Sequence, residues 1–204
     1  MVYIKNEQCI ESIREMINIG MGNGASVLNM MLNSHIVLQV PDIKFVNGNE
    51  LLSELSDNRD DKLTAVNMGY TGEISGDVQL IFNRDSAVQL VTVLVGEDAA
   101  NDMVEELGAG ALVEMGNVVL NGVMGSISNM LEFTLSYSVP DYIEDIAENI
   151  VMLENNDNDA SILMAKTKFE IKEFNITGNL VLFFKDDSVS KLLEAVQSLV
   201  EGLS

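Results

Sequence analysis

A glutamate and an asparagine three residues apart occur twice in this chain, as Glu15 with Asn18 and as Glu114 with Asn117. On a helix such a pair lies on one face, about 4.5 Å apart along the axis. The chemistry open to it is specific. A carboxylate can grip a lysine or arginine of a partner through a charge-assisted bond. A carboxamide both donates and accepts hydrogen bonds without titrating, which suits it to orienting a water molecule. The chain's two prolines, Pro41 and Pro140, follow the two pairs, and all three landmarks recur at an offset of 99 residues. Met31 and Met130, Leu32 and Leu131, Val40 and Val139, and Asp42 and Asp141 keep the same register. A repeat this long indicates a duplicated fold rather than a short-unit solenoid.

The elements that must carry the pairs are two long amphipathic helices, predicted over 7–33 and 104–131. In the first, Ile10, Ile13, Ile17, Met21, Gly24 and Leu28 follow the 3.6-residue period and form the buried stripe. Glu11, Gly22, Asn29 and Asn33 fall on the same side as Glu15 and Asn18. The second helix buries Leu112, Gly116, Leu120, Val123 and Ile127, and turns Glu114, Asn117, Asn121 and Ser128 away. Both asparagines of the pairs are therefore expected at surface positions, where substitution changes stability by no more than about 0.5 kcal/mol. Gly20, Gly22 and Gly24 each cost about 1 kcal/mol in a helix relative to alanine. Their reading is close packing, or room for a partner to approach. No strand precedes them, so a dinucleotide-binding loop is a poor reading.

Around these helices the chain reads as two like halves, about 1–98 and 99–204, within one domain. Asn6 is placed to cap the first helix. A strand over 36–46, interrupted by Pro41 and so suited to an edge or bend, is followed by a short helix over 50–56. Strands over 62–70 and 77–82 form a hairpin, and Asp85 caps a helix that runs through Leu94 and ends at Gly96. An acidic junction over 97–104 leads into the second half. There the spacing predicts a strand over 133–139, a short helix over 142–149, a hairpin over 161–172 and 178–184, and a final helix opened by Asp187. The fold class is α+β: duplicated helix-strand-hairpin-helix units with pseudo-two-fold symmetry.

Composition excludes several functions. The formal net charge of −21 argues against nucleic acid and anionic membrane surfaces, both of which would be repelled. One cysteine, Cys9, permits no intramolecular disulfide, consistent with a cytoplasmic home. One histidine, His35, leaves little for a Ser-His-Asp arrangement or a histidine-rich metal site. The run Asn155-Asn156-Asp157-Asn158-Asp159 briefly resembles a calcium loop, but Ala160 replaces the required glycine and Lys166 the closing glutamate. No uninterrupted apolar run approaches 18 residues, so membrane insertion is not expected.

The Glu-x-x-Asn pattern followed by proline, with residues 19–40 and 118–139 intervening and Ile19-Gly20-Met21-Gly22-Asn23-Gly24-Ala25 in the first copy, resembles the signature of the CheC/CheX/FliY family. The position four residues before the motif's glutamate, often Asp or Ser in that family, is here Glu11 and Gly110. With both copies intact, the chain looks most like CheC. The resemblance implies a largely antiparallel sheet with the two motif helices side by side on one surface. It also implies a phosphatase of the phosphorylated response regulator CheY: Asn18 and Asn117 would orient water at the phosphoryl group, while Glu15 and Glu114 would anchor the regulator. No cofactor of its own is expected, and Mg2+ would come with the regulator. The alternative is a non-catalytic adaptor for the receptor deamidase CheD or another signalling partner.

Overall fold

The computed structural model describes residues 7–32, 35–96, 104–153, 162–171, 174–185 and 187–202. The first half holds α1 (Glu7–Leu32), β1 (Ile36–Val46), α2 (Gly48–Leu55), β2 (Lys62–Gly72), β3 (Gly76–Asn83) and α3 (Arg84–Val95). The second holds α4 (Val104–Leu131), β4 (Leu135–Tyr137), β5 (Asp141–Ile146), α5 (Ala147–Leu153), β6 (Ile162–Ile171), β7 (Phe174–Phe184) and α6 (Ser188–Gly202). The α+β duplication expected from the repeat is what the chain forms. Asn6, most of the acidic junction and the 155–159 run lie outside the described residues.

The strands make one seven-stranded sheet in the order β1-β6-β7-β3-β2-β4, with β5 also on β2, and every pairing is antiparallel. The two hairpins meet at its centre, where β3 pairs with β7. Each half then lends its remaining strands to the other: β1 pairs with β6 of the second hairpin, and β4 and β5 pair with β2 of the first. The halves are thus interlocked through backbone hydrogen bonds.

Strand alternation divides the core in two. On β3, Val78, Leu80 and Phe82 face a large core shared with α1, α4, α3 and α6, whereas Ile81 faces a smaller one closed by Leu51 and Leu52 of α2 and Ala147 and Ile150 of α5. Glu54 ties α2 down by pairing with Lys44 of β1 and, at 3.1 Å, with Lys166 of β6. These hydrogen bonds hold its carboxyl below the usual glutamate range.

The helices α1 and α4 run antiparallel in nearly direct backbone contact. A Cβ on Gly20 would stand 2.5 Å from Val123 Cα, and one on Gly122 would stand 2.7 Å from the Gly20 carbonyl oxygen. Gly24 approaches Val119 Cα at 3.3 Å by the same measure, but Gly22 faces open space. Two of the three early glycines therefore serve the helix crossing. The expected buried stripes are buried, apart from the half-buried Ile10.

Four local expectations are corrected. Residues 141–146 form β5 rather than the first part of a short helix. Ile143 and Ile146 have helical spacing, but the β2 edge accepts this segment in the register Lys62↔Ile146 to Asn67↔Asp141. The helix begins at Ala147 instead. The strand predicted over 133–139 shortens to Leu135–Tyr137, because Glu132 takes a positive φ of 57° and delays entry to the sheet. Asn83, not Asp85, caps α3 by accepting from Ser86 N at 2.8 Å, and Asp85 sits in the first turn, where it complements the helix dipole. Finally, Ser128 is buried rather than turned away, and its hydroxyl meets that of Tyr137 at 3.2 Å.

By length and composition, Leu107–Leu131 within α4 is long and apolar enough to cross a membrane, although Glu114 interrupts its apolar run. Its apolar side chains Leu112, Met115, Val119, Leu120, Val123, Met124 and Ile127 form part of the large core.

Candidate functional site

The two glutamates of the repeated pairs are alike in their surroundings. Glu15 and Glu114 are both exposed, and among the described residues neither forms an ion pair. Each carboxylate is thus available to a cation from outside. Close to Glu15, Arg14 is held by Glu11 and donates to the Pro41 carbonyl at 3.3 Å.

The two asparagines differ. In the first half, β1 carries a bulge: Gln39 pairs with Lys168 and Asp42 with Lys166, leaving Val40 and Pro41 opposite Thr167 with no ladder partners of their own. Proline has no N–H to satisfy, but Val40 is buried and must place both backbone groups. Asn18 supplies both partners. Val40 N donates to Asn18 Oδ1 at 2.9 Å, and Asn18 Nδ2 donates to Val40 O at 3.2 Å. Asn29 repeats the device three turns along α1, clasping the N–H and carbonyl of Ile36. Asn18 is therefore a half-buried tie between helix and edge strand, not the surface residue that periodicity suggested.

In the second half the corresponding bulge opens outward. Ser138 still pairs with Gly69, donating its N–H to the Gly69 carbonyl and accepting Gly69 N–H on Oγ, each at 2.9 Å. The chain then leaves the ladder and rejoins it at Asp141 opposite Asn67. Val139, the counterpart of buried Val40, is 86% exposed. Asn117 is half-buried like Asn18, but among the described residues no strand backbone bonds its amide. Its Oδ1 accepts instead from Asn121 Nδ2 at 2.6 Å, and its Nδ2 has no partner among the described residues.

The structure does not bring the two pairs together. Gly20 and Gly24 cross Val123 and Val119, so the midpoint of the helix pair lies near residue 22 of α1 and 121 of α4. Counted from there at 1.5 Å per residue, Asn18 and Asn117 are about 12 Å apart along the axes, on the outer flanks of the pair. They make two separate sites. Two surface cavities, of about 270 Å³ near Lys185 and about 530 Å³ between α3 and α4, are lined by other residues. An open helical flank presenting one carboxylate and one carboxamide suits a macromolecular partner better than an enclosed small molecule.

Other candidate groups are remote from this chemistry. Burial, followed by the neighbouring charge of Glu201, pushes the Cys9 thiol up and away from reactivity. His35 is exposed just before β1. Among the described residues no cluster of His, Cys, Asp and Glu has the makings of a metal site.

No family model matches the chain. Along 95% of its length and 95% of the relative's, it is 25% identical to the CheY-P phosphatase CheC of Bacillus subtilis. In fold it is similar to FliY of Thermotoga maritima, with a TM-score of 0.77 at 20% identity, covering 98% of this chain and all of that one. A chain of the CheX–CheY–BeF3–Mg2+ complex from Borrelia burgdorferi shares the fold more distantly, with a TM-score of 0.51 at 15% identity over 85% of this chain and 99% of that one. In sequence the chain is similar to CheC, and in fold to FliY and CheX, which supports the CheC/CheX/FliY resemblance. Within that resemblance, the bulge clasped by Asn18 and the open bulge at Val139 are features of this chain's own geometry.

Proposed function

We propose that the chain is a phosphatase of a CheY-type response regulator in chemotaxis, acting in the cytoplasm on the regulator's aspartyl phosphate. The CheC relative, named for this activity and aligned along nearly the full length of both chains, supports the reading. So does the fold shared with a chain crystallised in a CheX–CheY complex. The single observation that carries it is the Asn117 amide, ordered on one side by Asn121 and open on the other, one helical turn from the unpaired carboxylate of Glu114.

Glu114 takes a cation of the regulator and sets the register of docking. Asn117 Nδ2 then holds the oxygen of a water molecule in line with phosphorus, and the second lone pair of Oδ1 is free to accept one of that water's hydrogens. Water forms the new P–O bond, and the bond from phosphorus to the aspartyl oxygen breaks. The electron pair passes to the released carboxylate, and the water's protons leave with inorganic phosphate. Mg2+ on the regulator would neutralise phosphoryl charge. Glu15 and Asn18 form the second copy of the machinery, but the Asn18 amide becomes available only when Val40 releases it.

Phosphate release from a phosphorylated CheY-type regulator, measured with and without the protein, tests the proposal. Acceleration is expected. An unchanged rate across a panel of CheY-type regulators refutes it.

A further inference from the structure

We infer that Asn121 is a positioning residue for Asn117, fixing which end of the Asn117 amide faces the reaction. The inference rests on the phosphatase reading above and names how that site is set. One turn beyond Asn117 on α4, Asn121 Nδ2 donates to two acceptors of the same residue: the Asn117 backbone carbonyl at 2.8 Å and Asn117 Oδ1 at 2.6 Å. The backbone carbonyl can only accept, which identifies the Asn121 atom beside it as the NH2 group. That NH2 in turn requires an oxygen on the Asn117 side, so Oδ1 is held inward along the helix and Nδ2 is turned out. A free Asn side chain could present either end. Asn121 removes the choice before the regulator arrives, so this ordering does not have to be made in the transition state.

The first half has no such device. At the position equivalent to Asn121 stands Gly22, which has open space around it, and the Asn18 amide is taken by Val40. The two halves thus use their asparagines differently: Asn18 is oriented by a strand backbone and consumed by it, whereas Asn117 is oriented by a neighbouring side chain and left with a free donor.

Asn121→Ala and Asn121→Asp test this in the full chain. Asn121→Ala is expected to lower kcat by about 3- to 10-fold, the range that one hydrogen bond of ordinary strength spans, with the regulator's Kd unchanged. Asn121→Asp is expected to lower it further, because the introduced carboxylate draws Asn117 Nδ2 inward and reverses the amide. Independently of turnover, 15N relaxation of the Asn117 side-chain NH2 is expected to report a rigid amide in the wild type and a mobile one in Asn121→Ala. Wild-type kcat in both variants, or an equally rigid Asn117 amide without Asn121, overturns the inference. If the wild-type protein accelerates no regulator's dephosphorylation, the phosphatase reading fails while the relaxation measurement still decides the positioning role.

Discussion

Asn18→Ala and Asn117→Ala are the same substitution at equivalent positions of a repeat, yet the structure predicts opposite consequences. Removing the Asn18 amide strands the N–H and carbonyl of Val40, a residue only 2% exposed and opposite a bulge where the sheet offers it no partner. A buried backbone group left unsatisfied costs about 1–3 kcal/mol. Two such groups, partly relieved by solvent entering beside exposed Pro41, give a loss of about 2–4 kcal/mol. In a chain of this size that corresponds to a Tm lowered by roughly 4–16 °C. Asn117 supports no strand, so its replacement should change stability by no more than about 0.5 kcal/mol. Activity should show the reverse order. Asn117→Ala is expected to lose about 100-fold in kcat, the lower end of what a missing donor aimed at the reacting atoms costs, while Asn18→Ala keeps most of the turnover. Urea denaturation followed by circular dichroism measures the first effect, and phosphate release at a temperature where both variants are folded measures the second. Asn18→Asp, which can accept from Val40 N but cannot donate to its carbonyl, should fall between wild type and alanine in stability at neutral pH. Wild-type stability in Asn18→Ala would refute the reasoning, because it would mean that the clasp carries no net energy.

Gly20→Ala places a methyl group 2.5 Å from Val123 Cα, which cannot rotate away, so unfolding should be easier by at least about 1–3 kcal/mol in a denaturation series. Glu114→Gln keeps the shape of the exposed side chain but removes its charge, so Kd for the phosphorylated regulator should rise with kcat at saturation little changed, as measured by titration and single-turnover kinetics. Residues 1–98 expressed alone should not give the cooperative unfolding of the full chain, because β1 finds its ladder on β6 and β2 loses both β4 and β5; a cooperative urea transition in that fragment would count against the interlocked assembly.

Much of this protein was legible in its sequence, for identifiable physical reasons. The two long helices declare themselves through unbroken 3.6-residue stripes, and nearly all the stripe residues read from periodicity are in the core. The hairpins were legible because alternation and bounding glycines are local signals; Gly76 opens β3 as expected, whereas Gly178 lies within β7, which begins earlier at Phe174. The four residues of the Glu-Asn pairs stood out because a 99-residue register coincided with the chain's two prolines. The contrast between Asn121 and Gly22 was also on the page, although without coordinates nothing marked Asn121 as Asn117's neighbour in function.

What tertiary structure decided is where backbone groups find partners across long distances. The segment 141–146 has spacing compatible with a helix and becomes a strand because β2 offers it an open edge. The repeat aligns Val40 with Val139 and Asn18 with Asn117 as equals, and the sheet makes them unequal. One bulge folds inward, buries its valine and borrows the asparagine of α1 to satisfy that valine's N–H and carbonyl. The other turns outward, gives its valine to solvent and leaves the asparagine of α4 without a strand to hold. Sequence periodicity specifies which face of a helix a side chain occupies. Whether that side chain is free for chemistry depends on what the neighbouring strand's backbone still lacks, and that is fixed only when the strands have paired.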